Sequence, residues 1–127
     1  MSHRRLSDWQ KQERLITYPY GDKARFADLA LCVGPGWTDL LDELCAKLFA
    51  LGWSGEIEQV KEKFGTLRFY FVNTCGDFAD IAFDVVDATE ARSAFVCELC
   101  GEHGEVKSLH GWLVCRCDTC FEKEDTK

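Results

Sequence analysis

Nowhere do the 127 residues run through about 18 uncharged apolar positions, the length that a membrane-crossing helix needs. The stretch from Met1 to Tyr20 carries Arg4, Arg5, Lys11 and Arg14 and lacks the apolar block of a secretory signal. Both absences set the expectation of a chain that stays in the cytoplasm. Positive charge is also short: the formal net charge is -7, so bare polyanions are poor partners for the chain as a whole. Histidine is scarce, with His103 and His110 the only two beyond His3, and neither sits in a His-Asn-His pattern. No catalytic constellation stands out, and there is neither an internal repeat nor a low-complexity tract.

Cysteine, by contrast, is plentiful at 8 residues. In a reducing compartment these are expected to ligate metal or lie buried as thiols rather than form a disulfide framework. Apolar residues make up 46% and aromatics 13%, enough to fill one core in a chain of this length, with disorder confined to the ends. The division expected is a segment of unassigned structure over residues 1–35, an α+β core over 36–94, and a cysteine module over 95–127, packed as one unit.

Within the first segment Tyr18-Pro19-Tyr20-Gly21 reads as a turn and Asp22 to Leu31 as a short helix. Its six basic and four acidic groups make it the one locally basic stretch. After Pro35 and Gly36, the spacing of Trp37, Leu40, Leu41, Leu44, Cys45, Leu48 and Leu51 predicts a helix over 38–51. Thr38 is its expected N-cap, Asp39, Asp42 and Glu43 suit its positive end, and Gly52 stops it. Residues 56–72 are rich in strand formers around Gly65 and predict a β-hairpin, with Leu67, Phe69 and Phe71 turned to the core and Thr66, Arg68, Tyr70 and Val72 turned away. Residues 77–92 return to helical spacing. Phe78, Ile81, Ala82, Val85 and Val86 form the expected buried side, Asp77, Asp80, Asp84 and Asp87 the opposite one, and Phe83 falls off the apolar arc.

Cys97-Glu98-Leu99-Cys100 and Cys117-Asp118-Thr119-Cys120 are two C-x2-C pairs separated by sixteen residues, the spacing of a zinc site. Two residues between ligands let a tight turn aim both sulfurs at one tetrahedral ion at about 2.3 Å, with turn amides free to bond the thiolates. Gly101 is expected at positive φ. Between the pairs, Val106 to Leu109 and Trp112 to Arg116 predict a hairpin about Gly111, and Cys120 is expected to open a helix over Phe121 to Lys127. Knuckle, hairpin, then ligands at a helix start is treble-clef order; without the helix it is a zinc ribbon. Four thiolates on one Zn2+ take the folded protein to about -9. Cys115 is expected to be a core or ligand-supporting thiol. His103 and His110 are the alternative ligands, and Cys32, Cys45 and Cys75 are read as buried thiols.

The run from Gln59 to Tyr70, Gln-Val-Lys-Glu-Lys-Phe-Gly-Thr-Leu-Arg-Phe-Tyr, follows Gly36-Trp37 and its leucine helix. It precedes Cys97-x2-Cys100-Gly101 and then Trp112 ahead of Cys117-x2-Cys120. Over residues 36–120 this pattern resembles a family of small uncharacterised phage and bacterial proteins, from which Cys115 and the Val33-Gly34-Pro35 entry depart locally. The resemblance implies a phage or prophage setting and a zinc-finger ending, and transfers no activity.

A closed four-cysteine site offers no open coordination position, so the expectation is a structural ion in a non-enzymatic protein. Three functions compete, beside a purely structural or assembly role. The first is a protein-binding module, a phage-encoded inhibitor of a host enzyme or defence complex. In its sharper form Asp77, Asp80, Asp84 and Asp87 imitate a phosphate backbone; otherwise they form a solvated helix face. The second is nucleic-acid binding through Lys61, Lys63, Arg68, Phe69 and Tyr70, against which those cations pair across the strands with Glu56, Glu58 and Glu62. The third is a treble-clef nuclease using His103 or His110. Oligomeric state is not legible.

Overall fold

The computed structural model describes residues 15–17, 23–25 and 33–125. The fold is α+β, with helices α1 (Thr38–Ala50), α2 (Ala79–Ser93) and α3 (Asp118–Asp125). Among the described residues the strands are β1 (Leu15–Thr17), β2 (Lys23–Arg25), β3 (Ile57–Lys63), β4 (Thr66–Phe71), β5 (Glu105–Leu109) and β6 (Trp112–Arg116), in three antiparallel pairs, β1–β2, β3–β4 and β5–β6. Lys23–Arg25 is a strand opposite Leu15–Thr17, which corrects the helix expected from Asp22 to Leu31 at those positions. Backbone pairing with β1 overrides the local spacing there. The remainder of that expected helix, and the turn at Tyr18 to Gly21, lie outside the described residues.

Helix α1 forms where its stripe predicts, burying Leu40, Leu41, Leu44, Cys45 and Leu48. Its start differs from expectation. A 3-10 turn over Pro35–Trp37 leads into it, Trp37 occupies the cap position, and Thr38 is already helical. The Thr38 backbone N–H and hydroxyl both donate to the Pro35 carbonyl, so the hydroxyl caps nothing. At the other end Gly52 takes φ +103°, Trp53 N donates to Leu48 O (3.0 Å) and Gly52 N to Phe49 O (3.1 Å), the Schellman arrangement that halts a helix.

Strands β3 and β4 meet at a two-residue turn, Phe64 and Gly65, both at positive φ as a type I′ turn demands. Leu67, Phe69 and Phe71 face inward as predicted, beneath Trp53, whose ring stands edge-on to Phe69 and Phe71 at 6.0 and 6.4 Å. A bulge at Glu58 lets both Ile57 and Val60 point inward although they stand an odd three positions apart.

Helix α2 lies along the free edge of β4. The Leu67 amide donates to Ser93 Oγ and the Phe69 amide to Glu90 Oε2, each at 2.8 Å, so side chains of the helix satisfy strand groups that no neighbouring strand reaches. This docking rotates the helix away from the orientation its apolar residues imply. Ala82, Val86, Thr89 and Ser93 are the buried stripe, whereas Phe78 and Ile81 remain about half exposed (52% and 49%). Small residues approach a sheet edge where Phe and Ile do not fit. Phe83 leans edge-on against Phe71 (5.5 Å) and is otherwise exposed. Among the described residues no helix is long and apolar enough to cross a membrane.

Candidate metal centre

Residues 94–104 fold back on themselves as a knuckle. Val96 bridges His103, Cys97 N donates to Glu102 O (2.8 Å) and Gly101 N to Cys97 O (2.9 Å), and Gly101 adopts the expected positive φ of +82°. The β5–β6 hairpin follows, turning at His110 and Gly111, with β5 beginning one residue earlier than predicted, at Glu105. Helix α3 starts at Asp118, ahead of the expected Phe121, so Cys120 sits in its first turn and Cys117 just precedes it. Lys107 fastens the helix to the hairpin through an ion pair with Asp118 and a position 5.2 Å over the Phe121 ring.

These elements bring the sulfurs of Cys97, Cys100, Cys117 and Cys120 within 4.8 Å of one another. The pair Cys100 and Cys117 stands at 3.6 Å, too far for a disulfide at about 2.05 Å and close to the ~3.8 Å edge of a tetrahedron with 2.3 Å metal–sulfur bonds. The residues therefore fit a tetrahedral dication. Among the described residues no other set of three or more cysteine, histidine or acidic ligand atoms converges in this way.

The electrostatics suit thiolates. Burial pushes the Cys97 thiol up, but backbone N–H groups of Cys117, Cys100 and Leu99 and the Cys100 thiol outweigh it, bringing Cys97 from 9.0 to about 7. Cys120 N donates to Cys117 Sγ at 3.4 Å. As thiols the crowded sulfurs resist ionising together: Cys120 is pushed up to about 12, first by burial and then by its three neighbours. A divalent ion held by the four sulfurs would take the place of those protons.

Other expected participants stand elsewhere. His103 stacks on Phe95 (6.5 Å between ring centroids), and His110 faces Asp125 at 3.9 Å from the hairpin turn, so neither reaches the sulfur cluster. Cys115 points into the main core, its Sγ close to the carbonyls of Val96 (3.1 Å), Ser93 (3.3 Å) and Ala94 (3.4 Å). A strand continued through Cys117 would put Cys115 and Cys117 on one side, but β6 ends at Arg116 and Cys117 joins the sulfur cluster instead. Cys45 and Cys75 are buried thiols, and Cys32 lies outside the described residues.

Asp77, Asp80, Asp84 and Asp87 are exposed on the solvent side of α2 and its lead-in, with no ion pair among the described residues. In the hairpin, Phe69 is only 2% exposed, which removes it from any nucleic-acid platform. The expected cross-strand ion pairs do not form either. Lys61 lies opposite Arg68, its ammonium 5.9 Å over Tyr70, while Lys63 lies over Phe64 at 5.4 Å. Glu62, paired with Leu67 on the opposite face, accepts from Gly65 N instead (2.7 Å).

Sequence reasoning missed what holds the centre to the core. Glu98, between the first two cysteines, is buried and accepts from Gly34 N through Oε2 (3.0 Å) and from Arg116 through Oε1 (3.2 Å). Arg116 also pairs with Glu124 of α3. Gly36 N donates to Glu98 O (2.6 Å) and Trp37 Nε1 to Val96 O (2.8 Å). A Cβ on Gly36 would lie 2.0 Å from Cys97 O, so this approach admits glycine alone. The glycines bracketing Pro35 were the available signal, but not its address some 60 residues away. Comparison with protein-family models, with curated proteins and with solved structures gave no match.

Proposed function

We propose that this chain is a non-enzymatic module, held by one structural zinc ion in a treble-clef arrangement, that works by binding another protein. The zinc assignment rests on four sulfurs within 4.8 Å of one another, one pair of them at 3.6 Å, a set that as four ligands would leave no position for substrate or water. The treble-clef assignment rests on the succession of knuckle, hairpin and a helix carrying the last ligand in its first turn. The observation that carries protein binding is the exposed apolar surface where two hairpins meet. The β3–β4 turn abuts β5–β6 so closely that a Cβ on Gly65 would lie 3.0 Å from Val106. Beside it Phe64 is 62% exposed, Leu113 is also exposed, and Trp112 at the neighbouring turn is 77% exposed. Aromatic residues presented on rigid turns are the usual anchors of protein interfaces. The phage setting implied by the family resemblance makes a host enzyme or defence complex the partner to seek.

The test has two readouts. Purified protein is expected to carry one zinc per chain, absent from Cys117→Ser, and to retain a discrete partner from host lysate. That partner is expected to be lost from a Phe64→Ser, Trp112→Ala variant that keeps its zinc. Full zinc content with partner retention unchanged by the variant would refute the surface. A second reading, nucleic-acid binding, draws on the outward β3–β4 face, where Lys61, Lys63, Arg68 and Tyr70 stand together while Glu62 faces the other way. Anisotropy titrations at low salt with single and double strands decide it: no binding removes it.

A further inference from the structure

Between β4 and α2 the surface opens into a groove of about 220 Å³, walled by Tyr70, Phe71 and Phe83 and bordered by Glu58, Asp87 and Glu90. It is smaller than the roughly 300–1,000 Å³ of typical small-molecule sites, so it suits one inserted side chain. The fold explains its position. Ser93 and Glu90 seal the edge of β4 at Leu67 and Phe69, and the groove begins one step further along, where Phe83 stands off against Phe71. The β3 bulge falls at Glu58, re-aiming that carboxylate to the groove's rim.

Three carboxylates thus share a site with three aromatic rings. Among the described residues none of the three forms an ion pair. Glu90 accepts the Phe69 amide through one oxygen. Burial pushes its carboxyl up, countered by that amide and by the nearby charge of Arg68. An anion or an apolar side chain would meet three carboxylates here, of which only Glu90 feels a nearby cation, Arg68. A planar cation meets both requirements, stacking on a ring while its N–H groups bond carboxylate oxygens, which a compact ammonium does less well.

We propose that this groove receives an arginine side chain of the protein partner. The proposal rests on the protein-binding function above and specifies one contact of it. The exposed apolar surface at the hairpin tips lies outside the groove's lining, so the two contacts are separable by mutation.

The probe is N-acetyl-arginine amide, titrated into zinc-loaded, 15N-labelled full-length protein. Expected are saturable shifts confined to the amides around Tyr70, Phe83, Asp87 and Glu90, with affinity at least about tenfold weaker in Asp87→Asn and in Phe83→Ala. Glu58→Gln, at an exposed position, is a third variant expected to weaken binding without touching the core. Equal or tighter binding of the lysine analogue, or equal binding of the neutral citrulline analogue, would overturn the assignment. So would non-saturating shifts spread over Asp77, Asp80 and Asp84. A partner retained through Phe64 and Trp112 by a protein indifferent to the arginine probe would sink the groove and leave the module. Saturable probe binding with no retained partner would do the reverse.

Discussion

The helix–hairpin core and the cysteine finger are built on different physics. In the core, Trp37, Leu41, Leu44, Leu48, Ile57 and Leu67 are completely removed from water. In the finger, β5 and α3 bury no residue fully, and the buried groups are Cys97, Cys115, Gly104, Glu98 and Arg116. Apolar area holds the first together. Sulfur geometry and a buried charge network hold the second, as expected of a segment too short to enclose a core of its own. The four-sulfur cluster stands where the core has packing, and the seam between the two takes the hardest tests: Gly36, Trp37 and Cys115 each belong to one region and contact the other.

Metal removal should break the comparison open most widely, because structural zinc contributes on the order of 10 kcal/mol to the fold it closes. Chelation, or Cys117→Ser, is expected to abolish amide-exchange protection over residues 97–125 while α1, β3 and β4 keep theirs. Simultaneous loss in one transition would erase the distinction. From the other side, Phe69→Ala should cost about 3–5 kcal/mol in denaturant unfolding while zinc stoichiometry stays at one in the folded protein. Loss of zinc at temperatures where that variant remains folded would show the finger to depend on core packing.

The seam variants come next. Arg116→Met leaves Glu98 and Glu124 without their cation and is expected to cost about 3 kcal/mol, lowering both zinc retention and thermal midpoint. A variant as stable as the parent would mean the charge network is dispensable. Gly36→Ala forces a Cβ against Cys97 O, where backbone gives way slowly. It is expected to cost about 1–3 kcal/mol and to move finger and core signals together. The smallest effect belongs to the exposed contacts of Glu43 with Lys47 (2.9 Å) and Arg92 (3.3 Å), where Glu43→Gln should change stability by no more than about 0.5 kcal/mol. A larger loss would promote the link between α1 and α2 from surface decoration to part of the core.

Helix α1, its stop at Gly52, the inward face of β4 and the four clustered cysteines were all legible in advance because each is set within a few residues of chain. A leucine every three or four positions defines a stripe, and a C-x2-C turn aims two sulfurs wherever it is placed. Helix α2 was read correctly at Ala82 and Val86, which are buried, and wrongly at Phe78 and Ile81, which stay half exposed, for the opposite reason. Its bulkiest residues mark an apolar side, yet the edge of β4 admitted Ala82, Val86, Thr89 and Ser93, two of them bonded through their hydroxyls. Thr38 lost its capping role to a 3-10 turn that spacing rules do not anticipate. Lys61 and Arg68 were assigned acidic partners that register placed elsewhere.

By itself the sequence determined which four cysteines pair as C-x2-C turns, the α+β succession around them and the acidity of the chain, since local geometry and composition suffice for these. Only the tertiary structure decided that Glu98 and Arg116 form the buried tie between regions and that Gly36 is where the core touches the knuckle. It likewise decided that three carboxylates and three rings share one groove. Each of those joins residues from separate elements, and no periodicity along a chain encodes which surfaces will meet once apolar area is buried.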